Sequence, residues 1–366
     1  MSRKGKQRHQ RYMRQHCALC GQKFNTMVLG STGYGVCHDC LSTAGKIVGM
    51  KPPKKQEAVS SEIHAPLEIV AELNKTIIGQ ESAKNAISIA LWKQQLKAHG
   101  MRSVPRSTLL LHGPTGCGKT AIVKEAARIA GLPFIHFDAT SLSEAGYKGR
   151  DAADMVKDLV RAFEEHPYLS HGVILIDEFD KLSARGGEQR DAYSRGTQHS
   201  LLRLIEGTEI RVDGKVIHTE DLLFIFGGAF SGIGPQVERR NPIGFGAQPT
   251  EEHPRSIDAD DFIAYGMEPE LMGRITQRVE LEPLSRDDLS RILLNTENSV
   301  LRQYQRFFAE QGIELQVSSK RVEELLNEAV ATGSGARGLQ TAVENMVQSL
   351  LFRLAEKHAE SEEWIA

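Results

Sequence analysis

Short runs dominated by apolar residues recur through the middle of the chain, and stretches with helical spacing separate them. Apolar runs without alternation are typical of strands buried on both faces of a parallel sheet. The runs lie at 108–112 (TLLLH), 134–137 (FIHF), 173–176 (VILI) and 222–226 (LLFIF). A helical stripe over 119–130 follows the first run closely. We therefore predict an α/β core in which helices flank a parallel sheet.

Beyond Pro283 the apolar residues follow helical spacing. Ser285 stands three residues before Asp288, which is typical of a capped helix start. Three apolar stripes follow: Leu289, Ile292 and Leu293; Val322, Leu325, Leu326, Ala329 and Val330; Leu339, Val343, Met346, Val347, Leu350, Leu351 and Leu354. We predict that they form the core of an all-α domain.

The same pattern divides the chain into four segments. A stretch rich in proline and lysine at 51–61 (KPPKKQEAVSS) reads as a linker, and helical spacing resumes at Leu67, Val70 and Leu73. The predicted segments are a small cysteine-containing domain, a linker, a large α/β domain and a small helical domain. Their predicted bounds are 1–50, 51–66, 67–282 and 283–366.

Composition and charge narrow the class of protein. The 366 residues include 45 Lys and Arg against 47 Asp and Glu, a net charge of −2, which argues against a strongly basic nucleic-acid or membrane-surface protein. The chain has no apolar stretch of the ~18 residues that a membrane helix needs, and its basic start lacks the apolar core of a signal peptide. We expect a soluble cytoplasmic protein.

Four of the five cysteines fall close together near the start of the chain. They form two Cys-x2-Cys pairs, Cys17 with Cys20 and Cys37 with Cys40, at the spacing of a four-thiolate zinc site. Two redox-active pairs or unrelated thiols are the alternative. Because so short a segment cannot bury enough apolar surface to fold alone, we predict that Zn²⁺ stabilises it.

The first apolar run leads into a glycine-rich segment that matches the P-loop pattern and precedes a helical stretch. Backbone N–H groups of such a loop surround phosphates, and the following helix adds its positive end. We predict that Lys119 reaches the β and γ phosphates and that the Thr120 hydroxyl binds Mg²⁺. The predicted nucleotide-binding residues of the loop are Gly113, Pro114, Thr115, Gly116, Cys117, Gly118, Lys119 and Thr120.

Two adjacent acids follow the third apolar run. Asp177 and Glu178 come at the carboxyl end of a predicted buried strand, where doubly wound sheets place their chemistry. We predict that Asp177 holds Mg²⁺ and that Glu178 polarises the attacking water. Together with the P-loop, these acids predict an ATPase.

The chain resembles the ClpX family of AAA+ protein unfoldases, which feed a barrel-shaped peptidase, over nearly its whole length. The resemblance rests on the four cysteines and on these segments: 78–84 (IGQESAK), 113–120 (GPTGCGKT), 138–140 (DAT), 144–147 (EAGY), 176–181 (IDEFDK), 204–208 (LIEGT), 227–230 (GGAF), 243–247 (IGFGA), 269–274 (PELMGR) and 335–338 (GARG). The HslU family shares many segments, but it carries a long inserted domain and lacks the cysteine domain.

The resemblance implies a homohexameric ring with ATP bound between neighbouring subunits. It implies that Arg274 is the finger that reaches the γ-phosphate of the next subunit, and that Arg337 reads the nucleotide in its own subunit. A surface or structural salt bridge is the alternative for either arginine. The segment 74–80 corresponds to the adenine pocket, with Ile78 against the base. The implied cofactors are ATP, Mg²⁺ and Zn²⁺.

Two further loops carry functions that the resemblance implies. Tyr147 corresponds to the pore residue that grips a polypeptide, whereas Lys148 departs from the family pattern and favours acidic substrate segments if it faces the channel. The tripeptide Ile243, Gly244 and Phe245 resembles the loop that docks on a ClpP-type peptidase.

Two other positions depart from the family. The short segment 209–221 lacks the basic Arg-Lys-His loop of the pore entrance and is compatible with a plain hairpin turn. The run at 222–226 ends without the polar sensor residue of other AAA+ ATPases, although Gly227 and Gly228 match the ClpX pattern.

We therefore expect an ATP-dependent unfoldase that translocates protein substrates, with or without adaptors, into a ClpP-type peptidase. A peptidase-independent remodelling chaperone is the alternative. A third interpretation, a nucleic-acid-binding ATPase with a zinc knuckle, rests on six basic residues near the start: Arg3, Lys4, Lys6, Arg8, Arg11 and Arg14. A basic tail is more often simply solvated, so we expect no nucleic-acid partner.

Overall fold

The structure is a computed structural model that describes residues 17–20, 22, 28–29, 35–37, 40, 62–142, 151–184, 187–233 and 257–360. The chain divides into two compact units, Met1–Ser61 and Glu62–Ala366. The predicted pore residues Tyr147 and Lys148 lie outside the described residues, and so does the docking tripeptide Ile243, Gly244 and Phe245.

The described part of the first unit contains one very small sheet. Strands β1 (Val28–Leu29) and β2 (Gly35–Val36) pair antiparallel, with Val28 opposite Val36 and Leu29 opposite Gly35. Strands of two residues supply few hydrogen bonds and little buried surface, so this sheet is not stable by itself. A metal ion bound by the cysteines of this unit would add to its stability.

The second unit is built on a parallel sheet, as predicted. Its five strands lie in the order β4–β5–β8–β3–β9, and every neighbouring pair is parallel. The strands are β3 (Thr108–His112), β4 (Phe134–Asp138), β5 (Val173–Asp177), β8 (Leu223–Gly228) and β9 (Gln277–Glu280). Sheets with this topology place ligands at the carboxyl ends of their strands.

Side chains of the central strands alternate between two cores. In β3, Leu109 and Leu111 face one apolar cluster with Ile122 and Val123, whereas Leu110 faces the other with Phe179. All of these side chains are buried, and burial of each stabilises the fold by roughly 1.5–3 kcal/mol. The two buried faces explain why the strand sequences are apolar throughout rather than alternating.

Helices cover both faces of the sheet. The helices of this part are α1 (Pro66–Thr76), α2 (Glu81–Ala98), α3 (Lys119–Ile129), α4 (Ala152–Ala162), α5 (Glu188–Glu206), α6 (Ala259–Ala264) and α7 (Pro269–Arg274). In α1 the core residues are Ile69 and Leu73, whereas Leu67 is 81% exposed, so its predicted place in the stripe is wrong. Ile69 and Leu73 are four residues apart on one face, and Leu67 lies on the opposite side of the helix.

A tight hairpin occupies the segment 209–221. Strands β6 (Glu209–Val212) and β7 (Lys215–His218) pair antiparallel and are joined by Asp213 and Gly214. Both turn residues have positive φ, 47° and 81°, as a two-residue type I′ turn requires. The structure thus confirms the hairpin that the short segment predicts.

Four helices form the end of the described chain: α8 (Arg286–Asn295), α9 (Val300–Glu310), α10 (Ser319–Thr332) and α11 (Ala336–Glu360). The Ser285 hydroxyl accepts the Asp288 N–H at 3.1 Å, and the Asp288 carboxylate accepts the Ser285 N–H at 3.0 Å, which confirms the predicted cap. Within the described residues, no helix is long and apolar enough to span a membrane.

Two residues of the predicted helical core are exposed instead. Val330 is 49% exposed and Leu350 is 38% exposed. In α10 the buried face carries Leu326 and Ala329, and Val330 is one residue beyond it, about 100° round the helix. The second half of α11 packs against α9 through Val347 and Leu354, and Leu350 lies outside that contact. Periodicity alone did not show where each helix meets its neighbours.

Candidate functional site

The four clustered cysteines converge on one point in the first unit. Their Sγ atoms all lie within 4.8 Å of one another, and Cys20 Sγ is 3.8 Å from Cys37 Sγ. A tetrahedral zinc site with Zn–S bonds of ~2.3 Å requires sulfur separations of about 3.8 Å. The spacing and convergence therefore fit a single Zn²⁺ ion bound by Cys17, Cys20, Cys37 and Cys40.

The protonation of these thiols also suits a metal. The Cys37 N–H donates to Cys17 Sγ at 3.2 Å, and this bond is the main cause that lowers the pKa of Cys17 to about 6. By contrast, hydrogen bonding with the Cys37 and Cys20 thiols, followed by burial, raises the pKa of Cys40 to about 12. Four thiolates this close repel one another unless a cation lies between them, so Zn²⁺ would supply the missing charge.

In the second unit, the P-loop connects the end of β3 to the start of α3. Gly113, Gly116 and Gly118 all have positive φ, from 76° to 143°, a region that residues with a Cβ rarely adopt. The loop therefore depends on glycine at these positions. Lys119 is buried, and its Nζ donates to Gly113 O at 2.8 Å and to Pro114 O at 2.9 Å.

Asp177, at the end of β5, is the centre of a polar network. Its Oδ2 accepts the Thr120 hydroxyl at 2.6 Å and lies 3.5 Å from His136 Nε2, and its Oδ1 accepts the Glu178 N–H at 2.9 Å. Burial opposes ionisation of this carboxyl, but the bonds from His136, Thr120 and Glu178 outweigh it and hold its pKa well below the usual range. Asp177 is therefore a carboxylate.

Oxygen donors next to a P-loop fit a magnesium ion. Mg²⁺ prefers carboxylate, hydroxyl and phosphate oxygens, and the Thr120 hydroxyl and the Asp177 carboxylate already lie together. The end of β8 leaves room for them: a Cβ at Gly227 would lie 2.9 Å from Asp177 Oδ1. Glycine at 227 thus keeps the carboxylate accessible.

The residue after Asp177 has a strained backbone. Glu178 has φ of 55°, a left-handed conformation that is uncommon for a residue other than glycine. Such strain is found at functional sites when the surrounding structure holds it in place. A single 3-10 turn, Phe179–Leu182, follows and carries Asp180 and Lys181 beside the pocket.

The start of α11 contacts the P-loop through the backbone. The Ala336 N–H donates to Gly116 O at 3.1 Å, and a Cβ at Gly335 would lie 2.7 Å from the same oxygen. A Cβ at Gly116 would clash with Ser334 O. The close approach requires glycine on both sides and brings Arg337 into the pocket wall.

Gln80 ties the P-loop to the segment that leads into the helical part. Its Nε2 donates to Glu282 O at 2.7 Å and to Cys117 O at 3.4 Å, while its Oε1 accepts the Glu282 N–H at 3.0 Å. Gln80 has φ of 63°, so the backbone turns sharply at the start of α2. This side chain links three regions that are far apart in the sequence.

His112, the last residue of β3, is a buried imidazole directly before the P-loop. Its ring lies edge-on to Phe262, with centroids 5.3 Å apart. Burial and, to a lesser extent, the charge of Lys119 lower the pKa of His112 to about 4. The side chain is therefore neutral at pH 7 and adds no charge to the site.

The resulting cleft brings most of the predicted nucleotide residues together. Its walls are formed by Thr115, Gly116, Gly118, Lys119, Thr120, Ala121, Asp177, Glu178, Asp180, Lys181, Ala229, Ala336 and Arg337. Gly113, Pro114, Cys117 and Ile78 lie outside these walls, and Ile78 is buried. Arg274, at the end of α7, is also outside them and pairs with Glu206 at 2.7 Å.

Sequence reasoning missed several side chains that the structure brings to the site. Asp180 and Lys181 come two and three residues after Glu178, so their position in the chain was a usable signal. His136 stands in the middle of a strand, and only the pairing of β4 with β5 brings it to Asp177. Gln80 belongs to the predicted segment 74–80, but its contact with Glu282, 202 residues away, was not predicted, because apolar periodicity carries no information on such a contact.

The second unit combines a five-stranded parallel sheet with a P-loop after one central strand and two acids at the end of another. A helical part reaches the same cleft. Together these features define an AAA+ ATPase. Residues 104–278 match the family described as AAA domain (Cdc48 subfamily), and residues 284–363 match the C-terminal, D2-small domain, of ClpB protein.

Curated relatives cover almost the whole chain. It is 32% identical to a protein of Azotobacter vinelandii named ATP-dependent Clp protease ATP-binding subunit ClpX, over 92% of this chain and 86% of the relative. The ClpX of Treponema denticola is 31% identical (92% and 89% covered), and ClpX 2 of Wolinella succinogenes is 32% identical (93% and 91% covered). The chain belongs to the ClpX family.

Proposed function

We propose that this protein is an ATP-dependent unfoldase that recognises folded proteins, unfolds them and translocates the polypeptide into a ClpP-type peptidase. The observation that carries the proposal is the composition of the cleft. One wall is the P-loop and the acidic end of β5, and the other is the start of α11 with Arg337. A nucleotide bound there contacts both the sheet and the helical part.

Within this proposal each residue of the cleft has a task. The P-loop N–H groups and Lys119 bind the phosphates, and Thr120 and Asp177 hold Mg²⁺, which neutralises charge that develops on the phosphates. Glu178 orients and polarises the attacking water. The side chains at the strand ends are positioned by a rigid sheet, which suits a reaction that depends on placement and electrostatics.

The contact between Gly116 and Ala336 would couple ATP hydrolysis to movement of the helical part. That hydrogen bond joins the phosphate loop to the first turn of α11, and Gln80 joins the same loop to Glu282 before the helical part. A change at the γ-phosphate that shifts the P-loop or Arg337 therefore moves the helical part. Chains of packed backbone with discrete arrangements are suited to such coupling.

The proposal includes a homohexamer. In it, Arg274 approaches the nucleotide of the next subunit, which is consistent with its exposed position outside the cleft of its own chain. Tyr147 grips the polypeptide in the axial channel, Lys148 adjusts the preference for acidic segments, and Ile243, Gly244 and Phe245 dock on the peptidase. In this proposal, segment 1–50 receives substrates and segment 51–66 is a linker. Segment 67–282 binds ATP, and segment 283–366 moves when ATP is hydrolysed.

The proposed setting is the cytoplasm, where ATP is available. The tight hairpin at Asp213 and Gly214 leaves no room for a long basic pore-entrance loop between β6 and β7. We therefore propose that this protein selects its substrates without such a loop.

The test is unfolding of a fluorescent reporter protein that carries an unstructured tail. With ATP and Mg²⁺, the native chain should abolish the fluorescence, and adding a ClpP-type peptidase should degrade the reporter. Tyr147→Ala should retain ATP hydrolysis and lose unfolding. Phe245→Ala should retain ATP hydrolysis and unfolding and lose degradation alone.

Three outcomes decide between the candidates. Unfolding without degradation by any ClpP-type peptidase would favour the peptidase-independent remodelling chaperone. Hydrolysis without unfolding of any tailed reporter would contradict the unfoldase itself. An equal loss of hydrolysis and degradation in Phe245→Ala would contradict the docking role of that loop.

A further inference from the structure

The cleft contains a third cation to which nothing above gives a role. Lys119 belongs to the P-loop and Arg337 to α11, but Lys181 comes from the 3-10 turn after the acidic pair and lines the same walls. The Lys181 N–H donates to Glu178 O at 2.9 Å. Glu178 and Lys181 both line the cleft.

Asp180 holds the Lys181 ammonium in place. Asp180 Oδ2 accepts from Lys181 Nζ at 2.9 Å, and its Oδ1 accepts the Ala229 N–H at 3.1 Å. The Asp180 side chain is 4% exposed, whereas that of Lys181 is 53% exposed. A buried carboxylate with both oxygens engaged is a rigid anchor, and the cation that it holds still faces the solvent-filled cleft.

The ammonium retains capacity for another acceptor. An ammonium group has three N–H donors, and one of them goes to Asp180. Lys181 can therefore donate to a phosphate oxygen without leaving Asp180 unpaired. The hydrogen bond and charge of Asp180 raise the pKa of Lys181, so the group is cationic at neutral pH.

The strand that faces this turn supplies no polar side chain of its own. β8 ends in Gly227 and Gly228, followed by Ala229, so no side chain there can bind the terminal phosphate. A Cβ at Gly228 would lie 3.1 Å from Asp180 N and closer still to the Phe230 ring. The small residues allow the 3-10 turn to pack directly on the end of β8, beside Ala229.

We propose that Lys181, positioned by Asp180, contacts the terminal phosphate of a bound nucleoside triphosphate and makes the site distinguish triphosphate from diphosphate. The inference rests on the proposed function, because it assumes that the cleft binds ATP. It assigns to Lys181 the task that a polar residue at the end of β8 would otherwise perform.

The experiment measures the dissociation constants of ATP and ADP with Mg²⁺ by calorimetry. The full chain carries Glu178→Gln in every sample to prevent turnover. Lys181→Met should weaken ATP binding about tenfold, the effect of one charge-assisted hydrogen bond, and change ADP binding less than about threefold. Lys181→Arg should restore most of the preference for ATP. Lys181→Gln, which can still donate to Asp180 but carries no charge, should resemble Lys181→Met.

The matched control is Lys157→Met. Lys157 pairs with Asp154 at 2.6 Å on α4, away from the walls of the cleft, so its loss removes a similar ion pair without touching the nucleotide. Both affinities should be unchanged in this variant.

Two results would overturn the assignment of Lys181 while the proposed function stands. One is an ATP-to-ADP preference that is equal in the parent Glu178→Gln chain and in its Lys181→Met and Lys181→Gln variants. The other is a parallel loss for both nucleotides together with a lower melting temperature, which would mean that Lys181 only neutralises Asp180. If the chain with Lys181 intact binds neither nucleotide, both the assignment and the proposed ATPase fail.

Discussion

The two units of this chain differ in what positions the residues of their candidate sites. The described part of Met1–Ser61 has strands of two residues and four sulfurs that converge within 4.8 Å. The unit Glu62–Ala366 has a five-stranded sheet between two apolar clusters, and its cleft lies at the strand ends. In the first unit, a bound metal ion would stabilise the folded segment. In the second unit, the folded sheet already forms the cleft in which a nucleotide would bind.

Because the two sites are built differently, the two units should respond differently when the metal ion or the nucleotide is removed. Structural zinc contributes ~10–16 kcal/mol to the folding of small zinc domains, so a domain of this kind unfolds without it. A nucleotide bound in a preformed cleft adds only the mass-action term, roughly 3 kcal/mol at a hundredfold excess over its dissociation constant.

Removal of the metal should have the largest effect. The purified protein should contain about one zinc per chain, and chelation should unfold the cysteine segment while the second unit retains its melting transition and ATP hydrolysis. Metal analysis and amide hydrogen exchange measure the two effects. Cys17→Ser should lose the metal, and Cys117→Ser, which changes the cysteine outside the cluster, should retain it. Unchanged zinc content in Cys17→Ser would contradict the four-thiolate site.

The contact between the P-loop and α11 should give the next largest effect. Gly116→Ala forces a Cβ against Ser334 O at a positive φ, so we expect a loss of about 3 kcal/mol in the free energy of unfolding and weaker ATP binding. Gly312 also has positive φ but nothing within 4 Å of its Cβ position.

Gly312→Ala is therefore the matched control. It should lower the free energy of unfolding by about 1–2 kcal/mol, because alanine adopts the left-handed backbone of this position less readily than glycine. The affinity for ATP should be unchanged. Denaturant unfolding and calorimetry measure the two quantities. Equal effects of the two substitutions on ATP affinity would mean that the contact with Ser334 has no importance for the site.

Acid should destabilise the second unit through His112. Its pKa is about 4 in the folded protein, against about 6.5 for an unperturbed histidine, so the unfolded chain binds more protons between these pH values. The stability that depends on neutral His112 is complete above pH 6.5 and is lost as the pH falls towards 4, by about 2 kcal/mol at pH 4.5. Burial also lowers the pKa of His166 and His171, which adds to the loss in the same direction.

His112→Leu should remove this part of the pH dependence. Denaturant unfolding at pH 7 and pH 4.5 measures it for the native chain and the variant. His218→Leu, at an exposed position in β7, is the control and should follow the native profile. A profile for His112→Leu as steep as the native one would show that the acid sensitivity arises elsewhere.

The smallest effect should come from His136, which lies 3.5 Å from Asp177 Oδ2. His136→Met removes a partner that helps to keep the carboxylate ionised and oriented, so the Mg²⁺ concentration needed for half-maximal ADP binding should rise, by up to about tenfold. His199→Met is the control, because His199 is near Glu268 and outside the walls of the cleft. An equal requirement for Mg²⁺ in both variants would exclude His136 from the magnesium site.

The sequence encodes some parts of this site locally, and those parts were predictable. The P-loop glycines, the acids after β5 and the paired cysteines each lie within a few residues of one another, so spacing alone indicates their geometry. The contacts Gln80–Glu282 and Gly116–Ala336 join residues more than 200 positions apart. Only the folded sheet and the helical part bring them together, and no periodic pattern indicates them.

The errors in the core prediction have the same origin. Leu67, Val330 and Leu350 are apolar and fall near helical spacing, but the neighbouring helix meets a different face in each case. An apolar stripe shows that a helix has a buried side, and the packing partner decides where that side ends.

The central claim is that the cleft between the P-loop and α11 is an ATPase site in which Glu178 acts on water. The most direct measurement compares Mg-ATP binding and hydrolysis in the native chain, Glu178→Gln and the exposed control Glu165→Gln. We predict that Glu178→Gln binds ATP within about threefold of the native chain and hydrolyses it ~10²–10⁴ times more slowly, while Glu165→Gln matches the native chain. Hydrolysis by Glu178→Gln at the native rate would contradict the account.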